Sequence, residues 1–389
     1  MATRSSKAGT SKKIASSTSS EEANLSNHIV LDEEKILNTY ESDFGRELFP
    51  LGKWDLKAYL ASIQVSVTRV AHDGYEMEFD VVNAEATVVN AIRRIIMAEI
   101  PTMAIDKVYL YQNTSVIPDE MLCHRLGLVP IHVDPRIFRK PKLPPTPPEQ
   151  QQQQEQAEPR DPNPLETVIF ELKVRCTRNP HASREGAASG GGDASDLYLN
   201  SSVYSKQLRW VPVGKQEDIF AKTPPAPVHP DILLAKLRPS QEIEARCYCY
   251  LGTGREHAKF SPVATVSYRL LPEIFLKERI SGERAERLAA SFSPGVIELV
   301  EDAETGEKVA RVRKARNDNS SRNVFRHADL ANAVILTKRR RHFIFSVESV
   351  GALKSHELVI EACNLMQRKC RGILRALDES LEAQHVDVG

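Results

Sequence analysis

Apolar and polar residues alternate through Ile63, Val65 and Val67, interleaved with Gln64, Ser66 and Thr68. After Asp73-Gly74 the alternation resumes in Tyr75, Met77, Phe79 and Val81 against Glu76, Glu78 and Asp80. Period two on both sides of an Asp-Gly turn predicts a β-hairpin with one buried face. The period then changes. Behind Asn83, a candidate cap, Val88, Ile92, Ile95, Ile96 and Glu99 fall at helical spacing, so an apolar stripe faces a core until Pro101 ends the helix. Asn90, Arg93 and Arg94 lie on the other side. Residues 104–111 read as a strand. A short helix should open at Pro118, carry Asp119 and Glu120 at its positive end, and close with Gly127 in a left-handed conformation.

Strand-like runs follow at residues 168–174 and 243–250, and alternation returns at 266–270 and 343–347. The chain ends in a long amphipathic segment after Ser355, in which Leu358, Ala362, Met366, Cys370, Ile373, Leu377 and Leu381 keep a spacing of three or four. A helix of that length exceeds the three or four turns usual in globular proteins, and its stripe needs a sheet or partner helix to cover it. Two stretches interrupt the middle of the chain. Residues 140–164 hold Pro-Pro-Thr-Pro-Pro and the run Gln150–Gln154, and residues 180–195 hold three consecutive glycines from Gly190. Both lack the apolar residues that offset ordering entropy, so both should be loops. Residues 1 to about 55 read as weakly ordered, with packing beginning at Trp54, Leu56 and Leu60.

Composition narrows the function. Hydrophobic residues make up 41% and charged residues 27%, which fits a soluble protein with an adequate core. Lysine plus arginine and aspartate plus glutamate are both 52, whereas a protein gripping phosphates needs a basic excess. No stretch approaches the roughly 20 apolar residues that span a bilayer. The Ser- and Lys-rich first 20 residues have no apolar centre and read as a tail, not a secretory signal. The six cysteines form no Cys-x-x-Cys unit, which implies reduced thiols in a nuclear or cytosolic protein.

The motifs that could carry chemistry read as structural. Gly252-Thr253-Gly254 lacks the third glycine and the following helix of a dinucleotide loop, so it predicts a plain turn between strands. Cys247 and Cys249 on one strand face offer two thiols, and Cys176 a conceivable third, without metal-site spacing. Cys123 and His124 point about 100° apart on a helix and are not poised as nucleophile and base. Residues 338–341, Lys-Arg-Arg-Arg, form either a solvated charged edge or an import signal.

Three blocks carry a resemblance: NAIRRIIMAEIPTMAI at residues 90–105, HAKFSPVA at 257–264 and FSVESVG at 345–351. In this order they resemble the alpha-like subunits of RNA polymerases, over roughly residues 55–380. The family's cysteine-rich zinc loop and iron–sulfur cysteines are missing, and Phe260-Ser261-Pro262 followed by Tyr268-Arg269-Leu270-Leu271-Pro272 is similar to the polymerase I/III form. The resemblance implies an α+β fold: a discontinuous dimerisation domain of the alpha-subunit N-terminal type, at 55–102 and 263–389. A β-rich insertion domain should occupy 103–262, with low-complexity loops at about 139–166 and 180–196, behind a tail at 1–54.

The same resemblance implies a non-catalytic assembly subunit without a cofactor or metal. Its expected partners are a smaller alpha-like subunit, the large catalytic subunits and the small shared subunits, with DNA and RNA met only through the complex. Its expected location is the nucleus, in nucleolus and nucleoplasm. The implied dimer interface comprises Val88, Ile92, Ile96, Leu358, Ala362, Met366, Ile373 and Leu377; the implied large-subunit contact is Asn90, Arg93 and Arg94. His257, Lys259 and Phe260 form the family's contact loop. Two alternatives stay open: an alpha-like subunit of another nuclear polymerase, and a free-standing nucleotide-binding or thiol enzyme.

Overall fold

The computed structural model describes residues 28–39, 55–141, 162–180, 197–303 and 306–386. Strands β1 (His28–Leu31) and β2 (Ile36–Leu37) precede helix α1 (Leu56–Ser62) and strands β3 (Gln64–Ala71) and β4 (Glu76–Val82). Helix α2 (Ala86–Ala98) leads into β5 (Pro101–Asn113) and α3 (Asp119–Gly127). The middle of the chain adds β6 (Thr167–Arg175), β7 (Ser202–Tyr204), β8 (Arg209–Val211), β9 (Leu233–Lys236) and β10 (Glu242–Thr253). There follow β11 (Val263–Leu276), α4 (Gly282–Ala290), β12 (Ile297–Glu301), β13 (Lys308–Val312), β14 (Val334–Ser349) and α5 (Ser355–Val386).

The chain forms two compact units, both discontinuous in sequence. Their division differs from the expected domains, because α2 and α5 group with the residues of the expected insertion. The first unit is built on a six-stranded sheet of order β2-β1-β14-β4-β3, with β11 also pairing β14. In it β1 runs antiparallel to β14, His28 opposite Arg339 and Leu31 opposite Leu336. Leu31, Ile274, Ile280, Leu288, Val296 and Leu336 are among the residues of its core. Phe79 stacks on Phe345 with ring centroids 5.0 Å apart, and Tyr268 meets Phe343 edge-on at 5.5 Å. These are the aromatic positions of the alternating runs, turned inward by the period of the strand.

Three local expectations change. The hairpin alternation predicts a buried face on both strands; β4 buries Met77 and Phe79, but Val65, Val67 and Val70 of β3 are exposed. Strand β3 is the last in its sheet, and alternation buries a face only where a second layer covers it. Asn83 does not cap α2. It adopts a left-handed conformation (φ 62°) three residues before the helix, and its side-chain amide donates to the Ser62 carbonyl at 2.9 Å. Gly127 is the last residue of α3 and is not left-handed; Leu128 follows at φ −85°.

Residues 338–341 lie within β14, where Arg339 pairs with Glu273 at 2.9 Å and Arg341 with Glu85 at 2.8 Å. The same sheet holds Asp80, whose Oδ2 accepts from Arg316 at 2.7 Å and from His342 at 2.9 Å.

The second unit contains a four-stranded antiparallel sheet of order β8-β6-β10-β5. Its long central strand β10 pairs Tyr250 with Ala104 and Thr253 with Pro101, with two register shifts along the way. Ile105, Leu122, Leu126, Phe170, Leu172 and Cys247 lie in its core cluster. Trp54, most of the two low-complexity loops and most of the expected N-terminal tail lie outside the described residues.

Candidate interaction surface

Helix α2 buries Val89, Ile95 and Ile96 and leaves Val88 and Ile92 half-buried. The period of the stripe therefore points where it should, with Ile96 fully enclosed by its own chain. On the opposite side Arg94 is exposed, while Arg93 is half-buried and its Nε donates to Asn90 Oδ1 at 3.1 Å. That bond spans one helical turn and fixes one guanidinium while leaving the other free to reach outward.

The C-terminal end of α2 leaves carbonyls without intrahelical partners. The turn after β10 supplies one donor, as the Arg255 N–H bonds the Ala98 carbonyl at 2.9 Å. The approach depends on two glycines. A Cβ on Gly254 would sit 2.3 Å from the Met97 carbonyl oxygen, and one on Gly252 would sit 2.6 Å from the Phe260 ring. The Gly-x-Gly sequence is thus a close-packing device; no helix follows to receive a phosphate.

The third part is the expected contact loop. His257 Nδ1 accepts from the Lys259 N–H at 3.1 Å, and Phe260 is buried beside Gly252. Lys259 Nζ reaches Asp106 Oδ1 at 2.6 Å and lies 5.0 Å from the Phe260 ring centroid. Thr102 Oγ1 donates to the Phe260 carbonyl at 2.6 Å. The blocks at 90–105 and 257–264, far apart in sequence, therefore form one surface, with Thr102 and Asp106 as members that the sequence reading missed. Their signal was available: both lie in or beside the first block.

Helix α5 begins with Ser355, whose hydroxyl lies 2.6 Å from the Tyr75 carbonyl and 3.2 Å from that of Val347. Glu357 Oε2 accepts from the Lys354 N–H at 3.0 Å. Leu358 and Ala362 are fully buried, Met366 is half-buried, and Ile373 and Leu377 are 63% and 54% exposed. Ile360 at 56% and Leu374 at 60% extend the exposed apolar surface and were not singled out in the sequence. Lys369 pairs with Glu99, which ties the middle of α5 to the end of α2.

The thiols divide by environment. Burial pushes Cys247 up to about 12 and Cys249 further, so both remain protonated at neutral pH and are poor nucleophiles. Burial, with help from Asp119 and Glu120, also raises Cys123.

The RNA polymerase Rpb3/Rpb11 dimerisation domain model matches residues 78–370. The chain is 45% identical over 351 residues to the mouse (Mus musculus) DNA-directed RNA polymerases I and III subunit RPAC1, covering 90% of this chain and 95% of that protein. The protein of the same name from Homo sapiens is 44% identical over 355 residues, covering 91% and 96%. That of Saccharomyces cerevisiae is 39% identical over 346 residues, covering 89% and 97%.

Proposed function

Because the chain belongs to the RNA polymerase Rpb3/Rpb11 dimerisation-domain family, we propose that it is the larger alpha-like subunit shared by RNA polymerases I and III, an assembly subunit with no active site of its own. One observation carries the dimerisation role: α5 exposes Ile360, Ile373, Leu374 and Leu377 along a helix of 32 residues. Burying each such side chain fully contributes about 1.5–3 kcal/mol, so a partner helix would gain substantially by covering them.

The dimer face then consists of Ile373 and Leu377 with Ile360 and Leu374, flanked by half-buried Met366, Val88 and Ile92. Ile96, Leu358 and Ala362 have no surface left to lose and act beneath that face, holding its helices in place. The partner is a smaller alpha-like subunit, and an obligate interface of this kind typically buries about 2,000 Å² or more.

Arg94 is the outward group for a large-subunit carboxylate or carbonyl, with Arg93 and Asn90 positioning it. In the loop at 257–260, Lys259 and Phe260 are engaged within the chain, which makes their role support, and His257 is the exposed member. The small shared subunits complete the partner set, nucleic acid is met through the complex, and the location is nuclear, including the nucleolus.

Co-expression with candidate small alpha-like subunits, followed by light scattering, tests this reading. A stable one-to-one heterodimer supports it; a well-behaved monomer indifferent to every candidate removes it.

A further inference from the structure

A cleft of about 600 Å³ in the second unit lies outside every surface described above. Six consecutive residues, 233–238, line it from end to end. At about 3.3 Å per residue that run is roughly 20 Å long, the reach of a short extended peptide and longer than most small ligands. Strand β9, within this run, pairs antiparallel with β7, Ser202 opposite Lys236, and no second strand pairs with it among the described residues. Arg125 of α3 donates to the Leu234 carbonyl at 2.9 Å and also to that of Leu233.

The lining has a distinct chemistry. Val116, Ile117 and Leu233 supply apolar surface, and Val116 is 83% exposed, an unusual position for a valine. Arg125, Lys236 and Arg238 supply three cations, and no carboxylate is among the described residues that line the cleft. None of the three pairs with a carboxylate among the described residues. By contrast Lys173 has Glu244, Arg136 has Asp134 and Arg287 has Asp329. In a chain of zero net charge this is a local excess. Lys236 and Arg238 are two residues apart on an extended run, so they share a face with a spacing of about 7 Å. Carboxylates at alternate positions of an extended partner have the same spacing.

We propose that this cleft is a docking groove for an extended segment of a partner polypeptide in which acidic and branched apolar residues alternate. The acids meet Lys236 and Arg238, the apolar side chains lie on Val116, Ile117 and Leu233, and the backbone runs beside β9, as in strand addition. Nucleic acid fits less well, because three cations interleaved with aliphatic side chains do not follow a phosphate backbone. This inference does not depend on the assembly role proposed above.

The test is fluorescence anisotropy on the full chain, co-purified with its partner subunit where one is needed for solubility. The probe is a labelled peptide of roughly eight residues alternating glutamate with leucine or isoleucine, long enough to span the run at about 3.3 Å per residue. The expected result is saturable binding that weakens at least tenfold in the double variant K236E/R238E. The same variant should gain binding to a peptide in which lysine replaces glutamate. Both substitutions are on exposed side chains, so circular dichroism and melting should match the wild type. Absence of saturable peptide binding to the wild type, equal binding by wild type and variant, or tighter binding of a single-stranded RNA decamer that displaces the peptide would each overturn the proposal. So would concentration-dependent self-association that the double variant abolishes, which would give the groove to a second copy of the chain.

Discussion

Gly254 sits against Met97 so closely that a Cβ at Gly254 would lie 2.3 Å from the Met97 carbonyl oxygen. The obstacle is backbone at the end of a helix, which cannot swing aside as a side chain can. Gly254→Ala should therefore cost about 2–3 kcal/mol through overpacking. Gly372, inside α5, has nothing within 4 Å of its would-be Cβ and no positive φ. There alanine removes the conformational freedom of glycine without a clash and should stabilise the fold by about 0.5–1 kcal/mol. Chemical denaturation of the two variants checks both signs; equal effects would remove the close-packing account of the Gly-x-Gly turn.

The glycine pair also shows what could be read in the sequence and what could not. The strand, the turn and the failure to make a phosphate site were legible from period and spacing. That the turn reaches back to the end of α2 was not, because a contact over some 150 residues leaves no local signal. The terminal helix shows the same division. Its period located one apolar stripe correctly, yet period cannot distinguish Leu358 and Ala362, covered by their own chain, from Ile373 and Leu377, which are not. Strand β3 is the converse, since its alternation promised a buried face that an edge position leaves open.

Aspartate substitutions along α5 should separate the two halves of the stripe. Leu358→Asp places a carboxylate in a fully enclosed site and should unfold or severely destabilise the chain, by about 3 kcal/mol or more. Ile373→Asp and Leu377→Asp lie on open surface and should leave the melting of the isolated chain nearly unchanged. In the proposed heterodimer the same two changes bury an unpaired charge and should weaken association a hundredfold or more. Melting curves and sedimentation of the pair read the two effects separately. Wild-type association of both surface variants would remove α5 from the dimer face.

The Asp80 cluster should make stability depend on acid in a predictable window. Burial alone would raise the Asp80 carboxyl, but hydrogen bonds and charge from Arg316 and His342 outweigh it and hold the group below its usual value. A carboxyl whose folded pKa is depressed contributes stability above its unfolded value, near 3.9, and loses it as pH falls through the lower folded value. Arg316→Ala should cost about 3 kcal/mol at pH 7, since it leaves a buried carboxylate with one partner fewer. The gap between wild type and variant should persist down to about pH 5 and close below pH 4 as Asp80 takes up a proton. Urea titrations at pH 7, 5 and 3 follow it; a gap of constant size would mean that the arginine acts through packing alone.

The six cysteines give a reading of both the fold and the proposed interface. Cys176, Cys247 and Cys249 are buried, and burial holds all three thiols above their ordinary pKa. Cys363 and Cys370 lie on the exposed length of α5, one heptad apart and therefore on nearly the same face. Partial burial still raises the Cys363 thiol, so it should react with iodoacetamide more slowly than exposure by area implies. In the isolated chain at pH 8, Cys370 should alkylate first, Cys363 next, and the three buried thiols only on unfolding. If the dimer face lies along this stripe, the partner should slow alkylation of Cys370 and Cys363 tenfold or more while leaving the order among the others unchanged. Mass spectrometry of peptides from timed quenches measures each site by itself. Undiminished labelling of Cys370 in a confirmed heterodimer would place the partner elsewhere on the helix.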